Sequence, residues 1–333
     1  MKYEIERRML HFRQPAGTSR GVYTTREVWY VTLRENGRQG TGECAPLPDL
    51  SCDSLPDYEE YLHAACHLTC QLGVVPYDML RDYPSILFGI ECAWTELQGR
   101  SERGNAFLRG EEGIPINGLI WMGTYDEMSA RIGEKLREGY RCVKLKIGAI
   151  NFDDELRLLE HIRVSYGRER VELRVDANGA FATTEARERL ERLARLDLHS
   201  IEQPIRQGQW KEMADLCAST PLPIALDEEL IGINTRERKE ELLDCIRPQY
   251  IILKPSQHGG IRGCEEWIAL AKQRGIGWWA TSALESNIGL SHIAQWVSTH
   301  NPSMPQGLGT GRLFTDNTPA QTEIRGDELY YIG

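Results

Sequence analysis

The chain has 333 residues, 41% of them hydrophobic and 26% charged, and a formal net charge of −10. That length leaves room for a large core and two domains, and the acidic balance excludes nucleic acid or an anionic membrane as the main partner, since either selects for a basic face. The nine cysteines form no CxxC pair and read as reduced thiols, not as a disulfide frame or a metal knuckle.

In chain order, MKYEIERRML alternates charged and apolar side chains, which suits a strand and lacks the apolar core of a secretory signal. No apolar run approaches a membrane span, so the expected location is the cytoplasm. Strands are expected over Lys2–Phe12 and Glu27–Arg34. The polar stretch Gln14–Arg20 between them, and PLPDLSCDSLPD from Pro46, read either as loops that close over a ligand or as plain surface. Helical patterns follow at Asp57–Leu72 and Pro84–Gln98, so residues 1–110 form an α+β capping unit.

From Ile114 strands alternate with helices, the signature of a parallel sheet in the α/β class. The polar residues that end these strands, Asn117, Lys146, Asp176, Glu202, Asp227, Lys254 and Ser282, recur every 25 to 30 residues, and QGLGTG supplies an eighth position at Gln306. Equal units in that number, with no GxGxxG turn, predict a modified (β/α)8 barrel over residues 111–311 in place of an open dinucleotide-binding sheet. Residues 312–333 end in DELYYIG, a lone strand expected to return to the capping unit.

Reactive groups in a barrel gather at the C-terminal ends of its strands. There Asp176, Glu202 and Asp227 would repel one another unless a cation neutralised them, and ligands made only of oxygen select magnesium, with manganese the alternative. Lys144 and Lys146 lie two apart on one side of their strand, and Lys254, the only charge in its strand, faces them from across the barrel. A lysine beside a second lysine and a divalent ion loses its preference for the charged form and becomes usable as a base. The set suits proton abstraction next to a carboxylate, with the ion stabilising an enediolate. Arg174 either orients Lys146 or the substrate or makes a structural ion pair, and Asn178 either donates to a ligand or shapes its turn. The segment TSALESNIGL, with Ser282 and Ser286, is expected to open a helix whose free N–H groups bind a substrate carboxylate. Ser282 has no histidine and acid partners for a hydrolytic triad, and His258 reads as a loop histidine.

KLK at Lys144–Lys146, RVDAN at Arg174–Asn178, IEQP at Ile201–Pro204, LDE at Leu226–Glu228 and LKPS at Leu253–Ser256 resemble the enolase superfamily, in its muconate-lactonizing-type branch, over nearly the whole chain. The resemblance implies magnesium on Asp176, Glu202 and Asp227, Lys146 as base and later acid, Lys254 as the cation facing the enediolate, and a capping domain that closes the site. TSALES and GLGTGRLFTDN resemble the synthases of bacterial menaquinone biosynthesis, which implies a syn dehydration of a cyclohexadiene carboxylate. Racemisation of N-succinylamino acids by the same lysine pair, or another reaction of the muconate-lactonizing type, is the alternative, and a catalytically silent small-molecule binding protein the alternative outside enzymes. Dipeptide epimerases carry an aspartate pair near the last strand where this chain reads GLGTG, which counts against that activity. The expected partner is a small carboxylate; the oligomeric state is not written in the sequence.

Overall fold

The computed structural model describes residues 1–18, 21–99 and 104–333. It begins with an antiparallel sheet in the order β1 (Lys2–Thr18), β2 (Gly21–Glu35), β3 (Arg38–Cys44). β1 runs past its expected end at Phe12: a register shift between His11 and Ala16 lets it stay paired with β2 as far as Thr18. Gln14 to Thr18 is therefore strand, with a bulge absorbing the break in alternation. Ser19 and Arg20 of the expected loop lie outside the described residues.

Helices α1 (Tyr58–Leu72), a short unanticipated α2 (Tyr77–Leu80) and α3 (Pro84–Leu97) cover one face of this sheet. The backbone of α3 rests almost directly on β3. A Cβ on Gly42 would stand 1.9 Å from the Gly89 carbonyl oxygen, and one on Gly89 2.2 Å from Cys44 Sγ. The two glycines thus set how deeply the helix sinks, and Val31, Leu33, Leu62, Ile86 and Ile90 fill the layer between.

After β4 (Ile114–Pro115) comes the alternating series: β5 (Gly118–Ile120), α4 (Tyr125–Arg137), β6 (Cys142–Lys146), α5 (Phe152–Ser165), β7 (Glu172–Asp176), α6 (Thr183–Ala194) and β8 (Ser200–Glu202). It continues with α7 (Trp210–Ser219), β9 (Ile224–Leu226), α8 (Arg236–Ile246), β10 (Tyr250–Leu253), α9 (Gly260–Gln273), β11 (Gly277–Ala280) and α10 (Asn287–Ser298). β5 to β11 form one parallel sheet in sequence order. Its edges meet through Gln306 and Gly307, which make parallel bridges to Ile116 and Thr281. Gly307 N donates to Ala280 O at 2.8 Å, and Asn117 N to Gln306 O at 3.0 Å. The eighth position closes the ring with a few residues, and among the described residues no helix follows it. Asn117 does not end a strand, contrary to expectation. It sits between β4 and β5, where its backbone joins that closure.

The strands read as near-continuous apolar runs because both of their faces are covered, by helices outside and by packed side chains within. Val143, Leu145, Leu173, Val175, Ile201 and Leu253 belong to that core. DELYYIG is not a lone strand: β13 (Glu328–Tyr331) forms a hairpin with β12 (Thr322–Arg325) and pairs with β4, while Phe314 bridges back to Phe12 of β1. All nine cysteines are free, and no helix among the described residues is long and apolar enough to cross a membrane.

Candidate active site

Strand register assembles the site. β6 pairs with β7 so that Lys146 stands beside Asp176, and β7 with β8 so that Asp176 stands beside Glu202. Asp227 comes one residue after β9, where the chain turns into a short 3-10 helix, Glu228–Leu230. Lys254 follows β10, four places from β6 in a ring of eight, and so on the opposite wall.

Lys144, Lys146, Asp176, Glu202, Glu228 and Lys254 line a cavity of about 770 Å³, part of it open to solvent, and Asp227, fully buried, joins them through Lys254. Lys144 Nζ donates to Glu202 Oε2 at 2.8 Å and to Asp176 Oδ2 at 3.1 Å. Lys146 Nζ donates to Asp176 Oδ2 at 3.0 Å and to Asn178 Oδ1 at 2.7 Å. Lys254 Nζ donates to Asp227 Oδ2. Asn178, in the left-handed region at φ 44°, passes its amide on to Glu228 Oε1 at 2.9 Å. The upper walls are apolar and come from both parts of the molecule: Leu47 and Leu50 from the capping unit, Leu119, Trp121, Ala283 and Leu284 from the barrel.

Four buried acids face three lysines here, and the electrostatics follow that excess. Burial pushes the Glu202 carboxyl well up, and Asp176 beside it pushes further; burial likewise raises Asp227 and Glu228 although Lys254 opposes it. Asp176 goes the other way: burial acts against its charge, but Lys146 and Lys144 hold it well below the usual carboxylate range. Burial works against the Lys144 ammonium too, yet Glu202 and Asp176 outweigh it and push that lysine up, as Asp227 does for Lys254. For Lys144 and Lys254 the protein groups alone therefore do not depress basicity.

Among the described residues no three acidic, histidine or cysteine side chains converge ready to hold an ion, because ammonium groups stand between the carboxylates. The donor set nonetheless suits a hard divalent cation. Glu202 Oε1, Asp227 Oδ1 and Glu228 Oε2 are buried oxygens with no hydrogen-bond partner, a costly condition that a cation would relieve.

Two of the expected residues stand elsewhere. Arg174 points inward like Asp176 but one layer deeper, where its guanidinium bonds Glu172 and Pro305 O and lies 4.4 Å from the Trp279 ring centroid. It forms the base of the barrel and does not reach the cavity. Ser286 caps α10 and is bound by a capping-unit carboxylate: its N donates to Glu43 Oε1 at 2.8 Å and its Oγ to Glu43 Oε2 at 2.5 Å. The N–H groups expected to bind substrate there are already taken. Ser282 does line the cavity, its Oγ 2.6 Å from Thr310 Oγ1. His258 is buried and accepts from Lys254 N at 3.0 Å, fixing the backbone that carries the lysine.

Sequence reasoning missed Glu228 and Gln203. Strand alternation sends neighbours to opposite faces, so a second acid after Asp227 reads as turned away, but the chain has already left the strand there. Gln203 holds that turn, its Oε1 accepting from Asp227 N at 3.2 Å and Glu229 N at 3.3 Å.

Residues 127–326 match the family described as Enolase C-terminal domain-like, and residues 18–97 that described as MenC, N-terminal domain. The chain is 46% identical to the o-succinylbenzoate synthase of Desulfotalea psychrophila, over 99% of this chain and 98% of that one. The crystal structure of MenC from the same organism superposes with a TM-score of 0.87 at 43% identity, covering 99% of both chains. The o-succinylbenzoate synthase of Thermosynechococcus elongatus, complexed with Mg in the active site, shares the fold with a TM-score of 0.77 at 23% identity over 96% of each chain.

Proposed function

The chain belongs to the enolase superfamily, in its muconate-lactonizing-type branch, and from that premise we propose that its cavity performs the o-succinylbenzoate synthase reaction of menaquinone biosynthesis. It is a carbon-oxygen lyase: 2-succinyl-6-hydroxy-2,4-cyclohexadiene-1-carboxylate loses water to give o-succinylbenzoate. The observation that carries the assignment of roles is the pair of lysines, Lys146 and Lys254, facing one cavity from opposite walls above buried carboxylates.

Superfamily enzymes use a divalent metal ion. Asp176, Glu202 and Asp227 would hold it here, magnesium or manganese, and its chemistry is positive charge beside the enediolate oxygens. Lys146 Nζ takes the proton from the ring carbon that bears the carboxylate, and the C–H electron pair passes into the enediolate. The same ammonium then returns the proton to the neighbouring hydroxyl as its C–O bond breaks, so water leaves from the face on which the proton was taken. The electron pair closes the aromatic ring, which drives the step forward. Lys254, on the other face, contributes charge. Lys144 holds Asp176 and Glu202 in place, and Asn178 orients Lys146. Ser282 and the apolar walls receive the rest of a small carboxylate substrate.

The test is ultraviolet absorbance as the ring aromatises, with magnesium present; no turnover of the diene would overturn the assignment. A second reading rests on the same two lysines, since bases on both faces of a substrate also suit racemisation. Exchange of the α proton of both enantiomers of an N-succinylamino acid in D₂O, with no dehydration, would favour the racemase.

A further inference from the structure

Three buried cations lie outside the reactive cluster among the described residues; Arg174 and Lys239 pair with Glu172 and Glu266, and Arg26 does not pair with an acid. Arg26 of β2 is 2% exposed and meets no carboxylate oxygen; its hydrogen bonds go to backbone carbonyls in two separate segments. From the capping unit, Pro46 O accepts from Nη1 at 2.6 Å and Ala45 O from Nη2. From the barrel, Ala283 O accepts from Nη2 at 3.3 Å and Leu284 O from Nε at 3.4 Å. Each segment supplies cavity wall, the first at Leu47 and the second at Ala283 and Leu284. Leu284 sits at φ 64°, a left-handed conformation that a bulky residue holds only when its surroundings impose it. Its carbonyl is one of the four that the guanidinium gathers.

We propose that Arg26 is a positioning residue for substrate binding: its planar fork locks the capping loop to the barrel loop and so sets the width of the apolar wall that receives the substrate's non-reacting part. It touches no reacting atom, so its contribution lies in binding and not in proton transfer. Only arginine suits the place, because its donors diverge in a rigid plane that spans both loops, whereas an ammonium on a flexible stem reaches one. The inference rests on the functional reading above, since it is through turnover of that substrate that it is read.

The experiment compares Arg26→Lys and Arg26→Met with Glu91→Gln. Glu91 crosses the same domain boundary, accepting from Ile261 N at 2.6 Å and Arg262 N at 3.1 Å, but touches neither loop. Both Arg26 variants should raise KM about tenfold or more with kcat within about threefold of wild type, while Glu91→Gln leaves KM unchanged. Arg26→Lys keeps the charge and carries the test where Arg26→Met does not fold. An unchanged KM, a fall in kcat alone, or an equal rise in KM in the Glu91 variant overturns the inference. A wild-type chain inert toward the diene overturns the functional reading instead.

Discussion

Lys146 and Lys254 sit in similar surroundings, each with an ammonium bonded to an aspartate, yet the proposed chemistry asks one to lose its proton and the other to keep it. Arginine substitution separates the two demands, because a guanidinium stays charged in proteins. Lys146→Ala and Lys146→Arg should both lose about 100- to 10,000-fold in kcat, the range general acid-base catalysis contributes. Lys254→Arg should retain clearly more turnover than Lys254→Ala. Equal losses in the two arginine variants would remove the division of labour. The residues that sequence pattern located are those that end strands, since a charge closing an apolar run is conspicuous. Of the two readings of Arg174 the structural ion pair, with Glu172, is the one found, because alternation gives the side of a strand and not the depth: two residues below Asp176 the barrel interior is its packed base, and Trp279 takes the guanidinium face. Ser286, by contrast, was misplaced. The partner that uses up its N–H is Glu43, 243 positions earlier in the chain, a contact no local pattern encodes.

At the scale of elements, the capping unit is stapled to the barrel by two buried carboxylates at helix N-termini, Glu43 on α10 and Glu91 on α9. Burial raises Glu43 to about 7 and Glu91 to about 8, against the backbone donors that favour their charged forms. Both lie above the unfolded value of about 4.3. The folded state therefore holds protons that the unfolded chain has released, so their contribution is full below about pH 4 and is lost as pH rises through 7 and 8. The Tm of wild type should consequently fall, relative to a Glu43→Gln/Glu91→Gln variant, between about pH 5 and pH 8. Comparing the two curves cancels other groups, among them buried His258, whose lowered basicity acts in the opposite sense. Parallel curves would show that the staples do not titrate in this window. The repeat of strand and helix was legible because each unit has nearly the same length, and so was the eighth position at Gln306. β1 was not legible beyond Phe12, because a bulge erases the alternation on which strand reading depends.

For the whole molecule, folding brings Asp176, Glu202, Asp227 and Glu228 into one buried cluster with one lysine too few to balance them. The unfolded chain keeps these groups apart in water, so the repulsion belongs to the folded state alone, and so does any site that a divalent ion would fill. An ion that binds only the folded state stabilises it by about 2.7 kcal/mol at a hundred times its dissociation constant. The gain belongs to the barrel, where β7, β8 and the turn after β9 carry the carboxylates. Magnesium should therefore raise the Tm of chelator-treated protein by a few degrees and restore an activity that chelation abolishes. Glu202→Gln removes an oxygen that has no other partner, and Asp176→Asn one that two lysines already satisfy; both should lose the magnesium-dependent rise while remaining folded. A Tm indifferent to magnesium, or a rise that survives in both variants, would place the ion elsewhere or nowhere. The same titration reports on the lysines. With the carboxylates engaged by an ion, Asp176 is no longer free to hold the Lys146 ammonium, so metal loading and turnover should rise together across one magnesium titration.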